Sequence, residues 1–499
     1  MTGRSGAVLV AGATSGAGKS TVAAALCRSL HRRGLAVAPF KAQNMSNHAA
    51  VTEDGGEVGR AQAMQADAAR VRLDRRMNPI LLKPSSEQRS HLVVLGDERD
   101  VTDAAAYGPT TQELKPVVLD ALTSLRRDHA WVVAEGAGGA AEINLLERDL
   151  VNLPLARAAG MPAILVVDIE RGGAFAAAHG TIDLVPPDLR RTVAGVAFNN
   201  FRGDPELLSS GIAELERRTG VPVLGVLPSL GPEPLLAVED SLDVGVGGRG
   251  GARSTRPVRV AAVLLPHLAN PSDLDPFDIE PDVVVRWVTG PGELADADLV
   301  VIPGTRATVA DLRWLQVNGF AEAINAAARS ATVIGICGGY QMLGRRIEDA
   351  IESKAGEVDA LGLLDATTRF VCPKIVRTSQ GWVGDDAVRG YQIRFGRPEA
   401  GGTGWLDLDG ASEGTRSTSG WVAGTSLHGI FDADGFRSSL LGEIADARGR
   451  SYQPSPIGFA EALEHQHERL ADWIDANLDV DEVLDLAATA SAPSEVPGW

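Results

Sequence analysis

The sequence predicts an α/β protein of two doubly wound domains, each with a mostly parallel sheet covered by helices on both faces. Short, continuously apolar segments alternate with segments of helical period, which is typical of buried parallel strands and their crossover helices. A stretch rich in Gly, Ser and Arg separates two such series. A glycine-rich loop at residues 12–21 joins the first strand to the first helix. Ligand sites are therefore expected at the carboxyl ends of the strands.

Charge, apolar runs and cysteine spacing indicate which partners and which cellular compartment to expect. The 499 residues carry a formal net charge of −18, which disfavours nucleic acid or an anionic membrane as partner, and we expect neither. No apolar run reaches about 18 residues and the amino terminus is not typical of a secretory signal, so we expect a cytoplasmic protein. The 3 cysteines include no Cys-x-x-Cys pair, which argues against disulfides and structural zinc. The sequence leaves the oligomeric state open.

Strand and helix patterns set the predicted boundaries. Residues 1–242 form the first domain, 243–257 a linker, 258–485 the second domain and 486–499 a disordered tail. The first domain contains five strand-like segments: "AVLVAG", "LAVAPF", "AWVVAEG", "PAILVVD" and "TVAGVAFNN". The second contains "VRVAAVLLP", "VVVRWV", "DLVVIPG" and "TVIGIC".

The loop "GATSGAGKST" has the context of a phosphate-binding loop, because it follows a strand and opens a helix. Lys19 is expected to reach the terminal phosphates of ATP, and Ser20 to bind Mg²⁺. Gly12 and Gly18 are separated by five residues rather than the usual four, a spacing that resembles the dethiobiotin synthetase branch of P-loop proteins. The alternative is a glycine-rich turn that matches by chance. The candidate ATP-binding residues of the loop are Thr14, Ser15, Gly16, Gly18, Lys19, Ser20 and Thr21.

Two further polar residues end later strands of this domain. By resemblance to the same branch, Glu135 in "VVAEGAGG" occupies the position of a second magnesium ligand. Asn199 in "FNNFRGD" occupies the position that reads the adenine edge. The alternative for each is a simple strand end or turn. Both belong at the ligand edge of the predicted sheet, which favours the functional interpretation.

The segment "TVIGICGGYQMLG" predicts a nucleophile elbow at Cys337. A strand, a cysteine with two glycines and a helix follow one another, and a helix amino terminus lowers the pKa of a thiol. A thiolate nucleophile needs a proton-transfer partner, and "GTSLHGIFD" supplies His428. The alternative is a small buried residue, the interpretation we adopt for Cys27 and Cys372.

"GICGGYQMLG" with a later "LHGIF" resembles the class I glutamine amidotransferases, which have a flavodoxin-like sheet. The resemblance implies that Cys337 and His428 release ammonia from L-glutamine, and that Gln341, Gly338 and Gly304 bind the glutamine or its oxyanion. Many members carry Glu two residues after the histidine, where this chain has Ile430. The residue that orients His428 therefore stays open. Arg394 and Ser426 also depart from the common pattern, which has His and an aromatic residue there.

Over residues 1–480 the chain resembles the cobyric acid synthase family of cobalamin biosynthesis. Its motifs include "PFKAQNMSNH", "GRAQAMQADAA", "NPILLKP", "VEDSL" and "LPHLANPSDLDPF". The resemblance implies amidation of the b, d, e and g carboxylates of adenosylcobyrinic acid a,c-diamide. ATP and Mg²⁺ would activate each carboxylate as an acyl phosphate, and glutamine-derived ammonia would displace the phosphate.

Acidic and polar residues at neighbouring strand ends are candidates for the substrate side. Glu142, Glu147 and Asp149 lie near the corrin or a second Mg²⁺, or else form a solvated surface turn. The remaining candidates are Lys41, Asn44, Ser46 and Asp168.

Three other functions are compatible with parts of this pattern. The nearest is cobyrinic acid a,c-diamide synthase or another glutamine-dependent polycarboxylate amidoligase, and "AQNMSNH" argues against the diamide synthase. A regulatory or partitioning ATPase would not need the paired Cys337 and His428 motifs. A binding module with an inactive glutaminase is kept open by Ile430.

Overall fold

The computed structural model describes residues 5–86, 89–231, 248–249, 254–401 and 404–488. The chain divides into two compact units. The first comprises the described residues of 1–46, 57–240 and 464–499, and the second those of 47–56 and 241–463. Most of the predicted linker, the motif "VEDSL" and the tail from residue 489 fall outside the described residues.

The first half of the chain alternates strands and helices, as its pattern predicts. Its strands are β1 (Gly6–Gly12), β2 (Val37–Phe40), β3 (Gln43–Met45), β4 (Ala49–Val51), β5 (Glu57–Gly59), β6 (Ile80–Ser86), β7 (Arg89–Val94), β8 (Asp97–Asp103), β9 (Trp131–Glu135), β10 (Ala163–Asp168), β11 (Val193–Phe201) and β12 (Val223–Pro228). Its helices are α1 (Lys19–Arg32), α2 (Arg60–Ala69), α3 (Ala104–Asp128), α4 (Leu153–Ala158), α5 (Ala174–Leu184), α6 (Pro187–Arg190) and α7 (Ser209–Thr219).

Six strands of the first unit form a parallel sheet in the order β12-β11-β10-β1-β9-β2. Alternate residues of β1 enter two different cores: Leu9 packs on one face of the sheet and Val10 on the other. Burial on both faces explains why the strand is apolar throughout. The carboxyl ends of β1, β9 and β10 meet at one edge, so the residues that follow these strands share one site.

The second half adds strands β13 (Gly248–Arg249), β14 (Val258–Val263), β15 (Val283–Val288), β16 (Leu299–Ile302), β17 (Thr332–Ile336), β18 (Arg346–Asp349), β19 (Gly356–Asp359), β20 (Ala366–Val383), β21 (Asp386–Ala400), β22 (Leu406–Leu408), β23 (Ala411–Glu413), β24 (Thr415–Arg416) and β25 (Val422–Thr425). Its helices are α8 (Thr308–Val317), α9 (Phe320–Ala327), α10 (Gly338–Leu343), α11 (Asp434–Arg448), α12 (Phe459–Asn477) and α13 (Val480–Ala488).

The main sheet of the second unit runs β13-β15-β14-β16-β17-β25-β24. Its inner strands, β14 to β17 with β25, pair in parallel, which agrees with the predicted doubly wound fold. The sequence analysis did not predict the long antiparallel hairpin of β20 and β21. No helix in the described part of the chain is long and apolar enough to cross a membrane.

The carboxyl-terminal helices correct the predicted domain boundary. Residues 464–485 were assigned to the second domain, but they belong to the first unit. Leu470, Ile474 and Leu484 are buried in the core that β1 and α1 also line. The apolar face of these helices therefore completes the first unit. Residues 486–488, predicted to begin the tail, are the last residues of α13.

Only one of the two cysteines that were predicted to be small buried residues is buried. Cys27 is buried inside α1, as expected. Cys372 is exposed on β20, so its interpretation as a buried residue was wrong.

Candidate functional site

The phosphate-binding loop lies between β1 and α1, as predicted. Thr14, Ser15 and Gly16 are exposed at its tip, whereas Lys19 and Ser20 are buried and Thr21 is half-buried. Gly16 and Gly18 adopt positive φ angles of 67° and 90°, which glycine tolerates without strain. Lys19 Nζ donates hydrogen bonds to the carbonyl oxygens of Thr14, at 3.2 Å, and of Gly138, at 3.1 Å. The lysine thus lies over the loop with its charge at the ligand edge.

Glu135 is the centre of the polar contacts in the first unit. Its Oε1 accepts hydrogen bonds from Ser20 Oγ at 2.7 Å and from Lys41 Nζ at 2.9 Å, and its Oε2 accepts one from Gln65 Nε2. Burial raises the pKa of this carboxyl, but the charge of Lys41 and the three hydrogen bonds outweigh burial and lower it. Three of the predicted residues, Ser20, Lys41 and Glu135, therefore form one ionised cluster.

The oxygen atoms of this cluster suit Mg²⁺. Ser20 Oγ and Glu135 Oε1 lie 2.7 Å apart, and both are hard oxygen ligands of the type that Mg²⁺ prefers. Gln65 Oε1 is also buried and has no hydrogen-bond partner among the described residues. Mg²⁺ usually takes one or two protein ligands and completes its shell with water and phosphate, so this donor set fits the ion.

Asn199 contacts the phosphate-binding loop. Its Nδ2 donates a 2.9 Å hydrogen bond to the carbonyl of Ala17, inside the loop. Asp168 is its register partner in the sheet, and Asp168 Oδ1 accepts the backbone N–H of Glu170. The contact gives Asn199 a role in holding the loop, while its part in adenine recognition stays a prediction.

The substrate-side candidates on β3 and after it are dispersed. Asn44 is buried and its Nδ2 lies 3.4 Å from Gln62 Oε1 on α2. Ser46 is half-buried, and its backbone N–H donates to the carbonyl of Leu82. Of this group, Lys41 contacts Glu135 in the ionised cluster.

The acidic candidates after β9 separate into two kinds. Glu142 and Glu147 are exposed. Asp149 instead accepts hydrogen bonds from the backbone N–H groups of Val151, at 2.7 Å, and of Asn152, at 2.9 Å. Burial raises the pKa of Asp149 despite these bonds. Its carboxylate caps a loop, which favours a structural role.

The nucleophile elbow forms where β17 meets α10. Cys337 has φ 52° and ψ −110°, a strained conformation for a residue with a side chain. The turn is tight: a Cβ atom on Gly339 would lie 1.9 Å from the carbonyl oxygen of Ile302. Cys337 is 7% exposed, and its Sγ lies 3.7 Å from the carbonyl oxygen of Ile393. The backbone thus presents the thiol at the end of the strand, as in other nucleophile elbows.

His428 links this thiol to a carboxylate that the sequence analysis did not assign. His428 hydrogen bonds to Cys337, and its Nδ1 lies 2.8 Å from Asp273 Oδ2. Asp273 Oδ1 accepts the backbone N–H of Gly429, also at 2.8 Å. Asp273 and His428 are both buried. The order Cys337–His428–Asp273 is that of a nucleophile, a base and the acid that orients it.

The pKa values of this array favour a thiolate–imidazolium pair. Burial lowers the pKa of His428, but the charges of Asp273 and Cys337 and the hydrogen bonds to both outweigh it and raise the pKa to about 10. Burial raises the pKa of Cys337, but the charge and hydrogen bond of His428, together with the charge of Arg394 and the backbone of Gly338, outweigh burial and lower it below the ordinary 9.0. Both shifts favour the thiolate, which is the nucleophilic form of a cysteine.

The predicted oxyanion residues lie around this pair. The backbone of Gly338 hydrogen bonds to Cys337, and Gly304 is so close to His428 that a Cβ atom on it would lie 2.8 Å from Cε1. Gln341 is buried, and its Oε1 accepts a 3.3 Å hydrogen bond from Thr308 Oγ1. Gln341 thus packs behind the elbow, and glutamine binding by its side chain stays a prediction.

The hairpin of β20 and β21 contacts the Cys337–His428 pair through residues of β21. Tyr391 stacks on His428 with ring centroids 5.2 Å apart, and the two residues exchange backbone hydrogen bonds of 3.1 and 2.9 Å. Arg394 is held by Gln392 Oε1 and by the carbonyl of Gly396. Ser426 is buried, and its hydroxyl has no hydrogen-bond partner among the described residues.

Sequence reasoning missed Asp273 and Gln65, although both lie in motifs that had been noted. Asp273 is in "LPHLANPSDLDPF" and Gln65 in "GRAQAMQADAA". Neither shows a local signal of its partner, because His428 is 155 residues from Asp273 and Glu135 is 70 from Gln65. The available clue was that each residue lies within one of the quoted motifs.

Comparisons with known proteins agree with this geometry. The family described as "CobQ/CobB/MinD/ParA nucleotide binding domain" matches residues 8–230, and the "CobB/CobQ-like glutamine amidotransferase domain" matches residues 259–436. A cobyric acid synthase of Nocardia farcinica is 47% identical over 99% of this chain and 98% of its own length. That of Mycolicibacterium paratuberculosis is 48% identical over 97% of each chain.

These matches confirm the predicted fold class and family resemblance. Both halves of the chain are matched, so the nucleotide-binding unit and the glutaminase unit belong to one glutamine-dependent amidating ligase. The chain is a member of the cobyric acid synthase family.

Proposed function

We propose that this chain amidates the b, d, e and g carboxylates of adenosylcobyrinic acid a,c-diamide, using ATP and ammonia released from L-glutamine at Cys337. The observation that carries the proposal is the buried array of Cys337, His428 and Asp273 in a chain that also holds the Lys19 and Glu135 phosphate site. ATP-dependent amidation requires a source of ammonia and a site that binds the phosphates of ATP, and this chain has a candidate for each.

In the glutaminase, the Cys337 thiolate attacks the carboxamide carbon of glutamine. The Gly338 N–H stabilises the oxyanion, and His428 as imidazolium gives its proton to the departing ammonia. The C–N bond breaks and a thioester remains. Water then attacks the thioester, His428 takes the proton from that water, and glutamate leaves.

In the ligase, a substrate carboxylate oxygen attacks the γ-phosphorus of ATP, and ADP leaves. Lys19, whose Nζ lies over the phosphate-binding loop, neutralises charge on the phosphate oxygens. Mg²⁺ bound at Ser20 and Glu135 would supply further neutralisation. Lys41, which pairs with Glu135, supplies a positive charge for the carboxylate that reacts. Ammonia then attacks the acyl carbon, inorganic phosphate leaves, and the nitrogen loses a proton.

The test is a time course of product mass. The chain is mixed with ATP, Mg²⁺, glutamine and adenosylcobyrinic acid a,c-diamide, with Cys337→Ala in parallel. We expect four successive amidations, lost in the variant with glutamine and restored by ammonium. A corrinoid of unchanged mass, while ATP and glutamine are still hydrolysed, would contradict the proposed substrate. Retained glutamine hydrolysis by Cys337→Ala would contradict the role of the thiol.

A further inference from the structure

The motif "PFKAQNMSNH" ends inside the glutaminase unit. Its first residues belong to the first unit, where Lys41 contacts Glu135. Residues 47–56 belong to the second unit, and the chain returns to the first unit at Glu57. The proposed reaction gives no role to residues 47–56, and His48 is one of them.

His48 and its neighbour hold a single residue of the second unit. The backbone N–H of Asn270 donates to His48 Nδ1 at 3.2 Å, and the backbone N–H of Ala49 donates to Asn270 Oδ1 at 2.9 Å. Asn270 is 3% exposed, so its polar groups depend on these partners rather than on bulk water. The two bonds run in opposite directions, which fixes both the backbone and the side chain of Asn270.

Asn270 sets the start of the short helix that carries Asp273. It adopts φ 52° and ψ 56°, a left-handed conformation that Asn tolerates better than most residues. The 3₁₀ helix Pro271–Ile279 begins immediately after it, and the Asp273 N–H donates to the Asn270 carbonyl at 3.2 Å. A change in Asn270 would therefore move Asp273 directly.

The hydrogen bonds of Asp273 leave its carboxylate little freedom to move. It holds His428 Nδ1 and the Gly429 N–H, both at 2.8 Å, and His428 in turn holds the thiol of Cys337. The same loop also contacts the oxyanion region, because the Ala269 N–H donates to the Gly304 carbonyl at 2.9 Å. One loop thus positions both the base and the glycine beside it.

We propose that His48 is a positioning residue of the glutaminase: its Nδ1 fixes Asn270 and thereby holds Asp273 in place to orient His428. Residues 47–56 are then a functional part of the glutaminase, contributed by the amino-terminal half of the chain. The inference rests on the proposed roles of Cys337 and His428. It assigns His48 no contact with glutamine, so its loss should lower kcat more than it raises KM.

The test uses the full chain with His48→Ala and His48→Asn, beside Cys337→Ala. Asn can place Oδ1 near the position of the imidazole Nδ1 and accept the same hydrogen bond. We expect His48→Ala to lower kcat for glutamine hydrolysis about tenfold, the effect of one lost hydrogen bond, while His48→Asn recovers most of it. Amidation driven by added ammonium should be unchanged in both variants.

A second measurement separates positioning from a general loss of structure. The rate of Cys337 alkylation by iodoacetamide is followed against pH. In His48→Ala the profile should move to higher pH, because a displaced Asp273 no longer supports the imidazolium that stabilises the thiolate. In His48→Asn it should match the unsubstituted chain.

Three results would overturn the inference: normal glutamine hydrolysis and an unmoved alkylation profile in His48→Ala, equal impairment in His48→Asn and His48→Ala, or a parallel loss of ammonium-driven amidation. The Cys337→Ala variant separates a failure of the proposed glutaminase site from a failure of the positioning role of His48. If it still hydrolyses glutamine, the proposed glutaminase site is wrong. If it is inactive while His48→Ala is normal, only the positioning role fails.

Discussion

Asp273 Oδ2 lies 2.8 Å from His428 Nδ1, so a carboxylate 155 residues earlier in the chain contacts the histidine of the proposed glutaminase site. The position two residues after His428, where many class I amidotransferases have Glu, holds the buried side chain of Ile430. Asp273 also accepts the Gly429 N–H, which fixes the carboxylate against the backbone that carries the histidine. We therefore propose Asp273 as the residue that orients His428.

Asp273→Asn should abolish most glutamine-dependent amidation. The amide cannot stabilise an imidazolium as a carboxylate does, and it can select the wrong tautomer of His428. We expect kcat for glutamine hydrolysis to fall by at least about 100-fold, with ammonium-driven amidation unchanged. The matched control is Asp296→Asn, an exposed residue of the same unit that pairs with Arg259. Equal activity of the two variants would refute the orienting role.

The alkylation of Cys337 should depend on pH in a way that Asp273 controls. The pKa of Cys337 is lowered from 9.0 and that of His428 is raised to about 10, so thiolate and imidazolium coexist above the lowered pKa of the thiol and below that of the imidazole. The midpoint of alkylation by iodoacetamide should therefore lie below pH 9.0 and move upward in Asp273→Asn. The exposed Cys372 is an internal reference whose profile should be the same in both proteins.

Gly304→Ala should impair the glutaminase alone. A Cβ atom at this position would lie 2.8 Å from His428 Cε1, so the imidazole must shift. Because small displacements of a catalytic group are costly, we expect glutamine hydrolysis to fall by about 10- to 100-fold. Gly292→Ala is the control, since a Cβ atom there meets nothing within 4 Å. An active Gly304→Ala enzyme would mean that the imidazole tolerates displacement.

Gln65→Met should impair the ligase and spare the glutaminase. The substitution keeps the size of the side chain but removes the hydrogen bond to Glu135 Oε2, which helps to lower the pKa of that buried carboxyl. A lost bond to a charged group predicts about a 10- to 100-fold decrease in ammonium-driven amidation. Glutamine hydrolysis serves as the control. Gln65→Glu should be worse, because a second carboxylate beside Glu135 raises its pKa.

Ile474→Ala should destabilise the first unit, although residue 474 lies near the end of the chain. Ile474 is 0% exposed in a core shared with β1 and α1. Its truncation should reduce the free energy of unfolding by about 2–5 kcal/mol. The measurement is the temperature at which ATP binding is lost. Leu207→Ala in the same unit is the control, because Leu207 is 78% exposed. Equal midpoints would argue against the corrected boundary.

The sequence by itself determined the features that depend on local pattern. Continuous apolar runs specify strands buried on both faces, so β1, β9, β10 and β11 were predicted with their ligand edge. Glycines around Lys19 and Cys337 reveal tight turns, because few other residues allow such backbone angles or close approaches. His428 was found by its own short motif.

The tertiary structure alone decided which distant polar groups meet. Asp273 with His428, Gln65 with Glu135, and His48 with Asn270 each join side chains or backbone far apart in the chain. The close-packed fold sets these contacts, and no local periodicity records them. The return of residues 464–488 to the first unit has the same origin. The sequence of an amphipathic helix indicates that one face is apolar, but only packing decides which core that face completes.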